Sequence, residues 1–233
     1  MLGISFIKNG NFTHTFTDWN LVPKTRFHVS PAEPKYNQIE LAGSDAIIDL
    51  TESLTGYVCF KMRKCEMTFS IVGNRSEWSD IYSTIQNYLQ GEHLQVIADE
   101  DPEWYWTGRF EVSDWDTVQK IGEITISGTV EPYKLKVEGA DHEFNLFREG
   151  GNYCQVTGSK KHVVPVFEYT NASAGEGNIY LVQGTDETVL IEGDNRFPEI
   201  VIGEGTHLFH FRVEPETTMY VATINIRFDI GSL

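Results

Sequence analysis

The chain has 233 residues, 40% hydrophobic and 12% aromatic, enough to build packed cores in one large domain or two small ones. Its 34 Asp and Glu outnumber 18 Lys and Arg for a net charge of −16, and the excess is spread: residues 138–233 hold 15 acidic and 6 basic residues, leaving 19 and 12 for residues 1–137. A surface of that sign repels phosphate backbones and argues against tight nucleic-acid binding. No run approaches the ~18–20 apolar residues of a membrane-spanning helix, so no membrane partner is expected.

In chain order, Met1 to Gly10 alternates apolar and polar residues and lacks the charged start and long apolar run of an export signal. From Asp49 to Arg63, Leu54, Tyr57, Val58, Phe60 and Met62 mix with Lys61 and Arg63 without clean alternation. That is more apolar than a solvated loop should be, and interfaces are enriched in aromatic, Met and Arg residues. Leu54, Tyr57, Phe60, Met62 and Arg63 are therefore the candidate subunit-interface residues, the alternative being a hairpin packed on its own domain. Alternation of period two marks Glu66 to Val72 as a strand, with Met67, Phe69 and Ile71 on one face.

The period then changes. Trp78, Ile81, Tyr82, Ile85, Tyr88 and Leu89 recur at helical spacing between Ser76, a plausible N-cap, and Gly91, where a C′ glycine belongs. An acidic turn, Asp99 to Glu103, leads into an aromatic strand with Trp104, Trp106, Gly108 and Phe110 on one face. Strands follow at Ile121 to Val130 and Tyr133 to Val137, and a domain break near Gly139 divides 1–138 from 139–233. Asp141 to Gly151 reads as acidic and irregular. Short strands resume at Val163, separated by turns at Gly175 to Asn178, Gln183 to Thr185, Gly193 to Asn195 and Gly203 to Gly205. The last strand sets Tyr220, Ala222, Ile224, Ile226, Phe228 and Ile230 against Thr223, Asn225, Arg227 and Asp229.

Motifs of chemistry are missing: no GxSxG elbow, no phosphate-cradling GxxxxGK[ST], no HExxH. The Asp99 to Glu103 cluster lacks the spacing of a calcium loop, and His207 and His210, three apart on a strand, face opposite sides. Cys59, Cys65 and Cys154 form an odd set without CxxC spacing and read as free thiols. The chain is expected to be non-enzymatic, with no catalytic, cofactor-binding or metal residues.

The order of several short motifs resembles the distal tail proteins of long non-contractile tailed bacteriophages. They are Asp18-Trp19-Asn20-Leu21, the Pro31 to Pro34 turn with Lys35, Gly43-Ser44-Asp45 before Ile47 to Leu50, and Leu54-Thr55-Gly56-Tyr57. Further along come Gly73-Asn74-Arg75 before Trp78, Asp101-Pro102 before Tyr105 to Phe110, and Pro132-Tyr133-Lys134. Near the end, Pro198-Glu199-Ile200, Gly203-Glu204-Gly205 and Gly231-Ser232-Leu233 look like the C-terminal sandwich of that family. The resemblance implies a mainly β protein: an N-terminal β-sandwich with one helix and an extended hairpin, then a galectin-like or carbohydrate-module-like β-sandwich. It implies a homohexameric ring without cofactor at the virion tail tip, assembled in the host cytoplasm. The ring would join the tail tube protein to a tail-associated fibre or lysin protein and to receptor-binding proteins. In such a ring Asp45, Asp49 or Glu52 would line a lumen that DNA traverses without sticking. A rival from another class is a carbohydrate-binding module for host adhesion, with Trp104, Trp106, His207 or Phe209 exposed around a groove.

Overall fold

The computed structural model describes residues 3–118, 121–147, 152–171, 177–214 and 222–233. They form two compact units, Met1–Lys134 and Leu135–Leu233. The mainly β reading, with one helix, an extended hairpin and a C-terminal sandwich, is borne out.

In the first unit, β1 (Ile4–Lys8) and β2 (Asn11–His14) form a hairpin whose two linking residues, Asn9 and Gly10, both have positive φ, the conformation that matches strand twist. After β3 (Leu21–Pro23) and β4 (His28–Val29) the chain leaves the sheet to make β5 (Gln38–Glu40) and β6 (Ile47–Asp49), and returns in β7 (Arg63–Ile71). Helix α1 (Trp78–Leu89) precedes β8 (Glu92–Ala98), β9 (Trp104–Val118) and β10 (Ile121–Val130). The antiparallel sheet runs β2-β1-β8-β9-β10-β7-β3, with β4 on β7.

Strict alternation on β7 buries Arg63, Cys65, Met67, Phe69 and Ile71, and the last four join Phe6, Val96, Phe110, Ile124 and Ile126 from the neighbouring strands. Helix α1 closes the core with Trp78, Ile85 and Leu89, and its Tyr82 meets Trp115 of β9 at 4.8 Å between ring centroids. A bulge opposite Thr125 and Ile126 gives β9 an extra residue, so that Trp115 joins the face of Phe110 and Val112 despite its odd number. The predicted helix start is corrected. Ser76 lies in a 3-10 turn, Arg75–Glu77, and the N-cap position falls to Glu77 with no side-chain cap bond. Gly91 does terminate the helix, at φ +74°.

Strand β11 (Lys134–Lys136) spans the boundary between the two units. Next come β12 (Ala140–Leu146), β13 (Asn152–Gly158), β14 (Val166–Asn171), β15 (Ile179–Gln183), β16 (Asp186–Leu190), β17 (Gly193–Asn195), β18 (Gly205–Val213), β19 (Ala222–Phe228) and β20 (Gly231–Ser232). Two four-stranded antiparallel sheets, β12-β19-β14-β17 and β13-β18-β15-β16, enclose Phe167, Ile179, Leu181, Phe211, Ile224 and Ile226. Phe167 is the central stitch, its ring 5.1 Å from Phe209 and 6.2 Å from Phe211.

Two expectations fail here. The segment after Gly139 is strand β12, not irregular: Ala140, Phe144 and Leu146 point inward while Asp141, Glu143 and Asn145 point out. Gly193 to Asn195 is strand β17 rather than a turn, paired with β14 and anchored by the buried Asn195, whose amide donates to Phe167 O at 3.1 Å. The turn at Gly175, and Tyr220 of the last strand, fall outside the described residues; the described part of that strand, β19, buries Ala222, Ile224, Ile226 and Phe228 as its alternation requires.

At Gly108 a β-carbon would strike the backbone of Thr129 and Val130 on β10. Gly108→Ala is expected to cost about 1–3 kcal/mol through the forced separation of β9 from β10, read as a lowered urea midpoint at unchanged slope.

Candidate functional site

Residues 31–62 leave the first sheet as an arm. Its root is closed by backbone bonds from Lys61 N to Glu33 O and from Lys35 N to Cys59 O, each 2.8 Å, and by the Pro34–Phe60 bridge. Its outer part is the β5–β6 ribbon, with Gln38 opposite Asp49 and Glu40 opposite Ile47. Beyond β6 the chain turns through Ser53 N to Leu50 O at 3.1 Å and Gly56 N to Glu52 O at 2.7 Å. Side chains supply further bonds: Asn37 N donates to Thr51 Oγ1 at 3.1 Å and Thr51 N to Asp49 Oδ1 at 2.9 Å. The bonds from Thr51, with one from Gln38, hold the Asp49 carboxyl below its ordinary range.

The arm satisfies its backbone locally, yet none of residues 31–62 is buried. Leu54 is 94% exposed and Ile47 56%, and Tyr36, Ile39, Leu41 and Ile48 are exposed as well. Residues 36–56 carry Glu40, Asp45, Asp49 and Glu52 and no Lys or Arg. A two-stranded ribbon is at best marginal in water, and this one leaves Ile39, Ile47 and Ile48 exposed.

The five candidate interface residues divide. Leu54 and Met62 stand in solvent; Tyr57 and Phe60 are half-buried, the Phe60 ring edge-on to Tyr133 at 5.9 Å. Arg63 is buried in its own unit. Its Nε donates to Ser30 O at 2.6 Å, its Nη1 to Pro132 O at 3.2 Å, and its guanidinium lies 4.7 Å over the Trp106 ring. Arg63 thus ties the root of the arm to the sheet. Sequence reasoning did not single out Tyr36, Ile39, Leu41, Ile47 and Ile48. The available signal was the adjacent pair Ile47-Ile48 after the Gly43-Ser44 turn, which puts an apolar side chain on each face of a ribbon.

The residues expected around a sugar groove are engaged elsewhere. Lys134 Nζ lies 4.8 Å over the Trp104 ring, Trp106 sits under Arg63, and Phe209 is buried. His207 Nε2 lies 2.9 Å from Gly203 O, on the face of β18 opposite His210.

No family model matches the chain, and no curated protein matches it in sequence. Its fold is nevertheless shared with a solved phage protein. The structure is that of SPP1 Dit (gp 19.1), described as a paradigm of the hub adsorption apparatus in Gram-positive infecting phages. The match has a TM-score of 0.64 at 10% identity and covers 99% of both chains. The resemblance drawn from short motifs is therefore borne out at the level of the fold.

Two measurements check this description. Arg63→Ala should destabilise the protein by about 2–3 kcal/mol in urea, since it strands two carbonyls at the arm root. Arg63→Lys should not restore it, because an ammonium cannot fork to both and lie on Trp106. Burial pushes the Cys65 thiol up to about 12 and raises that of Cys154, whereas Cys59 on the arm is only half-buried. At pH 8 a disulfide reagent should consume one thiol per native chain, Cys59, and all three in urea.

Proposed function

We propose that the chain is a structural hub of a phage tail tip, whose copies close into a homohexameric ring through the arm. The observation that carries this reading is the arm itself, ordered, apolar on both sides and buried nowhere in its own unit. A likeness in fold to a hub adsorption protein over the whole length of both chains supports it. Leu54, Ile47 and Ile48 would contact the next copy, with Tyr57, Phe60 and Met62 at the base of that contact. Arg63 fixes the direction in which the arm leaves.

Such an interface joins two different patches, and a head-to-tail contact of that kind closes into a ring when its rotation divides a full turn. Burying a Leu or Ile side chain is worth about 1.5–3 kcal/mol, so a few of these residues per contact hold a ring of six contacts. The hub acts as an adaptor from the tail tube protein to a fibre or lysin protein and to receptor-binding proteins. It needs no cofactor and turns over no substrate. Asp45, Asp49 and Glu52, all exposed on the arm, would keep DNA from adhering wherever they face its path.

Mass photometry of the purified chain, alone and with the tail tube protein added, tests the ring. The wild type is expected at the mass of six copies and the Ile47→Asp/Leu54→Asp double variant at that of one, with an unchanged far-UV circular dichroism spectrum because neither side chain is buried within its own chain. A variant that keeps the wild-type mass, or a wild type that stays monomeric in both conditions, rejects the proposal.

A further inference from the structure

Two crossovers carry the chain between the sheets of the C-terminal sandwich, and they lie side by side. Residues 159–165 lead from β13 to β14, and residues 196–204 lead from β17 to β18. Val163 N donates to Ile202 O at 2.9 Å and Ile202 N to Val163 O at 2.8 Å, and Ile202 is fully buried. The fit leaves no slack: a β-carbon on Gly158 would strike Gly203 O, and one on Gly203 would strike the His162 ring.

Two imidazoles meet at Gly203. His162, half-buried, packs on it from the first crossover. From β18, His207 places Nε2 2.9 Å from its carbonyl oxygen and 3.2 Å from its nitrogen. Around them Lys160 pairs with Glu204 at 2.8 Å and Lys161 with Asp229 at 3.2 Å. The hydrogen bond from Lys160 lowers the Glu204 pKa and so keeps that carboxylate ionised. A proton on His162 therefore adds a cation where both carboxylates already have partners.

We propose that this junction is a proton-sensitive clamp: when His162 takes up a proton the two crossovers part more readily, loosening this end of the sandwich. Burial pushes the His162 pKa down, and Lys160 and His207 act the same way, against Glu204 and a hydrogen bond to the Lys160 backbone. Once the crossovers part, the ring is solvated and its pKa returns to about 6.5. Above that value the imidazole is neutral in both forms and closure has its full strength. As pH falls from there through the lower value of the closed form, the open form binds the proton first and closure weakens. Carboxylates titrate further down, near about 4, so the window belongs to histidine. No arm residue takes part, and the clamp is independent of the ring.

Hydrogen–deuterium exchange of the full chain, read by mass spectrometry at about pH 7.5 and about pH 5.5 and corrected for the intrinsic rate, tests this. Peptides covering 159–165 and 196–204 should lose protection at the lower pH, while those of β7 and β10 in the first unit keep theirs. In His162→Gln, whose side chain stays neutral, the loss should vanish. In Lys160→Gln, which removes a like charge and frees Glu204 to face the imidazolium, it should shrink. Protection that is the same at both pH values in the wild type overturns the proposal, as does a loss that persists in His162→Gln. Should His162→Gln be unprotected at both pH values, Lys160→Gln decides, and an undiminished loss there overturns the clamp.

Discussion

Ordering a residue costs on the order of 1–2 kcal/mol of backbone entropy, and a pair of strands recovers that cost chiefly by taking side chains out of water. The arm cannot do this by itself. Hydrogen bonds among Asn37, Asp49, Leu50 and Thr51 replace bonds to water nearly one for one, and no side chain from residue 31 to 62 is buried in return. In the proposed ring the surface of a neighbouring copy makes up the deficit. Both the placement of the apolar residues and the stiffness of the root follow from that requirement. Arg63, Lys61 with Glu33, and the Phe60–Tyr133 contact hold the base so that the exposed ribbon has a defined direction.

Charge opposes association and so helps to define it. Copies of a chain at −16 repel one another, and the outer part of the arm, residues 36–56, with four carboxylates and no Lys or Arg, adds to the repulsion. Many of the first unit's cations are already committed: Lys24 to Glu123, Arg26 to Glu100, Lys134 to Asp101 and Lys8 to Glu92. Such exposed pairs contribute little stability, but they leave few positive charges to attract a second copy. In the proposed ring apolar burial would therefore supply the drive, through the exposed Ile47, Ile48 and Leu54.

Much of this was legible in the sequence wherever one physical rule dominated. Clean alternation located β7, β10 and β19, and helical spacing located α1. The rule failed where a second requirement intervened. Strand β12 was missed because acidic outward residues, with Ala140 and His142 on the inward side, gave a weak apolar signal. Strand β17 was missed because its three residues have turn composition, and only the buried amide of Asn195 makes them a strand. The bulge in β9 left no mark, although it decides that Trp115 meets Tyr82. Of the candidate interface residues, Leu54 and Met62 stand in solvent. Residue type could not foresee that Arg63, one residue after Met62, faces inward, because that depends on where the arm ends and the alternation of β7 begins.

At that boundary the proposed assembly and folding would become one equilibrium. Met62 stands in solvent and Arg63 in the core, so the backbone passes from the arm to the sheet within a single residue. Whatever covers the arm binds only its ordered form, and by mass action such a partner stabilises that form in proportion to the logarithm of its concentration. The partner's contribution reaches the sheet through Arg63, whose bonds to Ser30 O and Pro132 O link both flanks of the arm to the end of β10. A contact made at Leu54 is thus felt in the β-sheet through one buried guanidinium. A chain with so little burial in its arm holds the arm's direction because Arg63 fixes its root to the sheet.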